Sequence, residues 1–228
     1  MASNSNLVTL PKQKTFTNSI FARVRLATQS DAPHLHKLMY QLADFHSILP
    51  IFTATEASVA SNLFENNPHK PFESVTSLIL EVSPKPFLNP KTTQPFFDTI
   101  EKTINLDVPI VDKEVLDFQT SEGDNEDVYV AGYVLFFPNY SGFFEKPGFY
   151  MDNLHVRECY RGKGLGKMMF SAVASEAAKR GFSMFDWNVT SWNTKTIGFY
   201  VKLGAQEIKD FRVYRLSGQA LKSYNTTD

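Results

Sequence analysis

Six residues, Arg161-Gly162-Lys163-Gly164-Leu165-Gly166, separate an apolar run at 149–156 from a segment whose apolar side chains fall at helical spacing. This junction constrains the fold more than any other part of the chain. The run at 149–156 reads as a strand, and Leu165, Met168, Met169, Ala172, Val173 and Ala177 make one face of a helix. A strand that enters a helix through a glycine turn belongs in an α/β fold, with helices laid on a sheet. Glycines there let backbone approach a ligand closely, and the free N–H groups at the helix start attract an anion. Arg161, Lys163 and Lys167 add positive charge, so the turn suits a pyrophosphate.

Three nucleotide patterns compete for this turn. A P-loop needs glycine at its first position and Ser or Thr after Gly-Lys, but Arg161 and Met168 stand there. A dinucleotide fingerprint begins with Gly162 and Gly164, yet Lys167 occupies the place of the third glycine. Its acidic residue has only a loose candidate in Asp186. The pattern Arg/Gln-x-x-Gly-x-Gly/Ala fits without a gap, through Arg161, Gly164 and Gly166.

The rest of the chain gives the turn a setting. Its 228 residues amount to about one and a half average domains, which favours one domain with an elaboration. With 43% apolar and 21% charged residues it can bury a core. No apolar run approaches the roughly 18 residues of a spanning helix. The single Cys159 excludes a disulfide scaffold and fits a reducing compartment. A net charge of -1 without a basic stripe excludes nucleic acid as the main partner. The 20 Phe and 9 Tyr against 2 Trp point to an aromatic core or an aromatic pocket.

Residues 1–20 read as a disordered tail; the acid-free start shares the bias of transit peptides but has few basic residues. Patterning predicts strands at 22–27, 74–82, 128–137, 149–156, 184–190 and 208–216. Helices are predicted at 31–46, after the Thr28/Asp31 capping signal, and at 193–203, closed by Gly204. A short helix after Thr53 and Glu56 carries Val59, Leu63 and Phe64, and a turn is predicted at 138–142. Prolines break 85–127, which ends in an acidic run and reads as an inserted surface loop.

Arg161-x-x-Gly164-x-Gly166, followed by Trp192-Asn193 and by Phe199-Tyr200-Val201-Lys202-Leu203-Gly204-Ala205, resembles the GCN5-related N-acetyltransferase (GNAT) superfamily. More narrowly, 136–205 resembles its spermidine/spermine (diamine) acetyltransferase branch. Segments 23–28, 80–84 and 136–141 are similar to plant ornithine/diamine N-acetyltransferase-like proteins and tyramine N-hydroxycinnamoyl (feruloyl) transferases. The resemblance implies the GNAT fold, a mixed, mostly antiparallel, splayed sheet flanked by helices, as a single domain over 21–228. It also implies acetyl-CoA or another acyl-CoA as co-substrate, a small-molecule amine as acceptor, no metal, no nucleic acid and no membrane. A cytoplasmic homodimer is expected.

The resemblance assigns residues as well. Arg161, Gly162, Lys163, Gly164, Leu165, Gly166 and Lys167 would hold the pyrophosphate, with Asn193 as a further CoA contact. Backbone N–H groups of Leu154, His155 and Val156 would meet the oxyanion. Tyr200 would protonate the leaving thiolate. An attacking alkylamine titrates near 10.4, taking lysine as reference, so it must lose a proton. Asp152 is the expected base, directly or through water, as a carboxylate set in an apolar strand. Relatives usually place Glu there; here Asp152 is followed by Asn153. Alternation turns His155 to the opposite face, as a packed histidine, and Cys159 lacks a relay that would make it a nucleophile. Acceptor contacts are expected from Tyr40, Asp44, His46, Phe137, Tyr140, Asp186, Trp187 and Asn188. Acetyl transfer to a diamine, polyamine, ornithine-like amine or arylalkylamine is the primary expectation, and hydroxycinnamoyl transfer to tyramine the alternative. A protein acetyltransferase and a non-catalytic CoA-binding module are further alternatives.

Overall fold

Thr76–Ser83 is buried along its whole length, so it needs cover on both faces and a neighbour on both edges. The computed structural model, which describes residues 13–67, 70–87, 93–94, 96–120 and 127–225, provides both. Its strands are Lys14–Phe16 (β1), Ser19–Leu26 (β2), Thr76–Ser83 (β3), Thr93–Gln94 (β4), Phe97–Asp98 (β5), Ile100–Asn105 (β6), Ile110–Asp112 (β7), Tyr129–Ser141 (β8), Lys146–Val156 (β9) and Met184–Trp187 (β10). The helices are Ala32–Phe45 (α1), Glu56–Ala60 (α2), Leu165–Lys179 (α3), Thr194–Lys202 (α4) and Gly218–Lys222 (α5). Six strands pair in the order β10-β9-β8-β3-β2-β6. Only β9 and β10 run parallel, so the sheet is mixed and mostly antiparallel, as expected.

One face of the sheet carries α1, whose Ala32, Leu35 and Leu38 pack with Ile79, Val130 and Tyr133. On the other face, Phe170 of α3 meets the rings of Phe185 and Trp187. Side chains alternate along β8, so Tyr133 and Phe137 face α1, whereas Phe136 turns to the α3 side and packs on Phe149. Two buried arginines, Arg23 and Arg25 on β2, share the carboxylate of Glu81 on β3. Arg25 also grips Asp31 bidentately, at 2.7 and 2.8 Å. Asp31 completes the capping box with Thr28, so one carboxylate fixes both the helix entry and the strand before it.

Several expectations need correction. The surface loop predicted for 85–127 instead supplies β6 to the sheet and buries Ile110, Asp112, Val115 and Phe118. Its apolar residues are spaced between prolines, which hid their common destination. The acidic run at 121–126 and residues 1–12 lie outside the described residues, but 14–16 of the predicted tail form β1, paired with β7. Strand β8 passes through the turn predicted at 138–142 and continues to Ser141. Its pairing with β3 ends at Phe136, so Pro138 falls where β8 has become an edge, and there proline is tolerated. The second capping signal belongs to Thr55 and Ser58 rather than to Thr53 and Glu56.

The chain divides into two units, Met1–Trp187 and Asn188–Asp228. In the second, the Asn193 carboxamide caps α4 by accepting the Thr196 N–H at 3.2 Å, and Gly204 ends it with φ +93°. The strand predicted at 208–216 does not form. No strand pairs with this segment among the described residues, and Ile208, Phe211, Val213, Tyr214 and Leu216 are exposed. The strand predicted at 184–190 likewise stops at Trp187, where pairing with β9 ends. Among the described residues, no helix is long and apolar enough to cross a membrane.

Candidate active site

The phosphate-type turn takes the form its glycines allow. A 3-10 turn, Glu158–Tyr160, links β9 to Arg161, and α3 starts at Leu165. Gly162 and Gly164 have φ of +76° and +81°, and a Cβ on either would meet nothing within 4 Å. Crowding is therefore not the reason for glycine; the left-handed backbone is. Gly164 caps α3 without a side-chain bond, and the first intrahelical bond runs from Met168 N–H to Gly164 O at 3.0 Å. The N–H groups of Leu165, Gly166 and Lys167 precede it and form the positive end of the helix. Arg161 is anchored by its Nε, which donates to Val156 O at 2.8 Å, and its guanidinium lies over Phe45. Arg161 and Lys167 are exposed and Lys163 half-buried, a cationic rim suited to a pyrophosphate. Gly164→Val combines β-branching with a left-handed φ, a strain of about 1–3 kcal/mol, so CoA affinity is expected to fall by about 10- to 100-fold. Calorimetric titration with CoA reads this, and an unchanged affinity would remove the turn from the binding site.

Above the turn lies the open edge of β9. The Arg157 N–H donates to Ala131 O at 2.8 Å, so alternation points the His155 N–H to β8 and those of Leu154 and Val156 to the opposite edge. Pairing with β10 covers only 148–151, leaving these two donors beyond its end. Between Leu135 and Phe136 the β8–β9 register shifts, and Asp152 is the extra residue on β9. The expectation of a buried carboxylate is thereby corrected: the bulge turns Asp152 out to solvent. Its neighbour Asn153 accepts a hydrogen bond from Tyr133 at 2.8 Å; burial, helped by the Asp152 charge, pushes that phenol well up.

His155 is buried and packed, as expected, with Nε2 3.4 Å from Gln41 Oε1. Burial, then the Arg161, Arg157 and His46 charges, hold it down to about 3, so it stays neutral at pH 7. Unfolding returns it to about 6.5, and the unfolded chain therefore binds the extra proton as pH falls. The stability it gives above pH 6.5 is lost on acidification toward 3, about 2 kcal/mol of it by about pH 5. Denaturant midpoints at pH 7 and 5 for the native chain and His155→Gln test this; an equal loss in both would exonerate His155. Burial also pushes the Cys159 thiol up to about 11, with the Asp112 charge adding to the rise, so Cys159 is no nucleophile at neutral pH.

On the α1 side of the sheet, Phe137 and Tyr150 lie ring to ring at 5.3 Å, and Asp186 is in register with Tyr150. Tyr40 stands edge-on to Phe52 at 5.8 Å, and Asp44 is exposed one turn further along α1. His46, at the helix end, packs on Phe45, and burial lowers it from its ordinary value. Trp187 is not brought to this face, since its ring meets Phe170 of α3. Tyr140 is exposed near the tip of the β8–β9 hairpin. In the second unit Asn188 is exposed, Asn193 is engaged as the α4 cap, and Tyr200 is buried edge-on to Phe199. Burial pushes the Tyr200 phenol up. The sequence reading missed Arg157, Tyr160 and Asp112, a buried cluster beside the turn. An arginine ending an apolar strand was its one visible sign.

The pattern of the Acetyltransferase (GNAT) family matches residues 81–205. L-ornithine N5-acetyltransferase NATA1 of Arabidopsis thaliana is 42% identical over 94% of this chain and 92% of its own length. Tyramine N-feruloyltransferase 4/11 of Nicotiana tabacum is 40% identical over 98% of this chain and 97% of its own. Among solved structures, an aminoglycoside acetyltransferase from an uncultured soil metagenomic sample shares the fold, with a TM-score of 0.53 at 13% identity, over 86% of this chain and 97% of that one. The glycine turn, the open edge of β9 and relatives matched over nearly their full length lead to one assignment: the chain belongs to the acetyltransferase (GNAT) family.

Proposed function

We propose that this protein is an acyl-CoA-dependent N-acyltransferase that moves an acyl group, in the first place acetyl, to the primary amine of a small molecule by direct attack. The observation that carries the reading is the left-handed Gly162/Gly164 turn at a helix start with no side-chain cap bond, one strand-end away from the outward N–H groups of Leu154 and Val156. The turn receives the pyrophosphate, and those two N–H groups stabilise the oxyanion as the amine adds to the thioester carbonyl. Asp152, exposed at the bulge, takes the ammonium proton directly or through water. Tyr200 returns a proton to the departing thiolate. Acyl transfer is direct, since Cys159 stays a thiol.

The acceptor side offers aromatic surface at Tyr40, Phe52, Phe137 and Tyr150, with carboxylates at Asp44 and Asp186. This mixture favours an arylalkylamine as well as an aliphatic diamine, and supports hydroxycinnamoyl transfer to tyramine as the second reading. The relatives named for ornithine and for tyramine stand at nearly equal identity. Purified protein assayed with acetyl-CoA and feruloyl-CoA against putrescine, ornithine and tyramine separates the two; no turnover with any pair would overturn both. A cytoplasmic homodimer is part of the proposal. The exposed apolar side chains at 208–216 support a second copy as partner, which sedimentation would read as twice the chain mass.

A further inference from the structure

Asp112, at the end of β7, and Arg157, just past β9, are both 0% exposed. Arg157 Nη1 donates to Asp112 Oδ2 at 2.8 Å and Nη2 to Oδ1 at 2.5 Å. The Tyr160 hydroxyl donates to Oδ2 at 2.7 Å and the Glu114 N–H to Oδ1 at 2.9 Å. Four donors thus fill the carboxylate's acceptor positions. The Arg157 guanidinium also lies 4.0 Å from the ring of Phe118, which belongs to the same inserted segment. The carboxylate is thus saturated and Arg157 is paired through both Nη atoms, while its buried Nε has no hydrogen-bond partner among the described residues.

The cluster sits directly before the glycine turn. Tyr160 N–H bonds to Arg157 O at 3.0 Å, and Arg161 N–H to Glu158 O at 3.1 Å, so Arg157 and Tyr160 frame the 3-10 turn that hands the chain to Arg161. The same segment also holds α1. Gln41 donates to Glu114 at 2.9 Å, and Lys37 to the Asp117 carbonyl at 3.0 Å. From the other side, Phe16 of β1, the strand paired with β7, stands edge-on to Tyr160.

We propose that Asp112 is a positioning residue for acyl-CoA, which makes the inserted segment part of the donor site. Through Arg157 and Tyr160 it fixes the start of the turn that receives the pyrophosphate. This rests on the acyl-CoA reading above. A site made of backbone N–H groups binds well only if they already converge, and a loosened turn must be ordered on binding.

The test is calorimetric titration of CoA into the native protein, Asp112→Asn and Tyr160→Phe, with steady-state kinetics beside it. Asp112→Asn is expected to weaken CoA binding by about tenfold and to raise KM for acyl-CoA equally, while kcat and the acceptor KM stay near native. Tyr160→Phe keeps the ring and deletes one bond; its expected loss is about threefold, and it decides the matter if Asp112→Asn does not fold. Variants that melt earlier yet bind CoA with native affinity would overturn the proposal, because Asp112 would then serve the fold alone. Native protein that does not bind CoA would instead overturn the acyl-CoA reading.

Discussion

Replacing Tyr200 by Phe is expected to lower kcat by about 100-fold or more while leaving CoA affinity within about twofold. The substitution removes only a hydroxyl from a buried ring, so packing against Phe199 survives. In the proposed mechanism, what it deletes is the proton for the leaving thiolate. A free thiol titrates near 8.5 and a phenol near 10, so the transfer is uphill even before burial. Burial raises the Tyr200 phenol further, which keeps it protonated through the neutral range but makes it a reluctant donor to a fully formed thiolate. The proposed contribution would therefore belong to the transition state, where the sulfur carries partial charge and the proton need only be shared. An effect on kcat with little effect on binding is the signature of such a group. Native kcat in Tyr200→Phe would dismiss the general-acid role, and a parallel loss of CoA binding would reassign Tyr200 to the binding surface.

The parts of this site that could be read from sequence are those whose meaning is local. A left-handed backbone needs glycine wherever it occurs, so Gly162 and Gly164 declare the turn on their own. The capping box of Thr28 and Asp31 and the apolar stripe of α3 are equally local, and both stand as expected. Contacts between distant segments were not legible. Asp112 and Arg157 are 45 residues apart, and nothing in either neighbourhood names the other. The exposure of Asp152 was hidden for a related reason. A bulge is set by the register of two strands, and one inserted residue reverses which face the next side chain takes. The segment at 208–216 shows the converse limit, since alternation describes a strand's faces but not whether a neighbouring strand exists to pair with it.

Glu81→Ala is expected to cost about 3–5 kcal/mol of stability, the effect of taking one partner from a buried ionic cluster. Glu81 is 0% exposed and accepts from Arg23 Nε at 2.6 Å and from Arg25 Nε and Nη2 at 2.9 and 2.7 Å. The alanine variant removes all three charge-assisted bonds and leaves both guanidinium groups in the interior. Arg25 keeps Asp31, whose carboxyl burial alone would raise; the Arg25 hydrogen bonds outweigh that and hold it below its usual range. The consequence should therefore appear as lost fold stability before it appears as a displaced α1. Glu81→Gln retains acceptor capacity without the charge and should lose less, and denaturant midpoints of the two variants separate charge from hydrogen bonding. If Glu81→Ala instead unfolds at the native midpoint, the cluster contributes no net stability, and its role is confined to register. Only one face of this pair is wholly apolar, with Ala22, Val24 and Leu26 against Val82, Leu80 and Leu78, and a slide by two residues would keep that face matched. Only with Arg23 opposite Glu81, and Arg25 reaching it diagonally from its place opposite Ile79, are all three charges satisfied, so the cluster selects one pairing of β2 with β3, and Asp31 carries that choice to the start of α1.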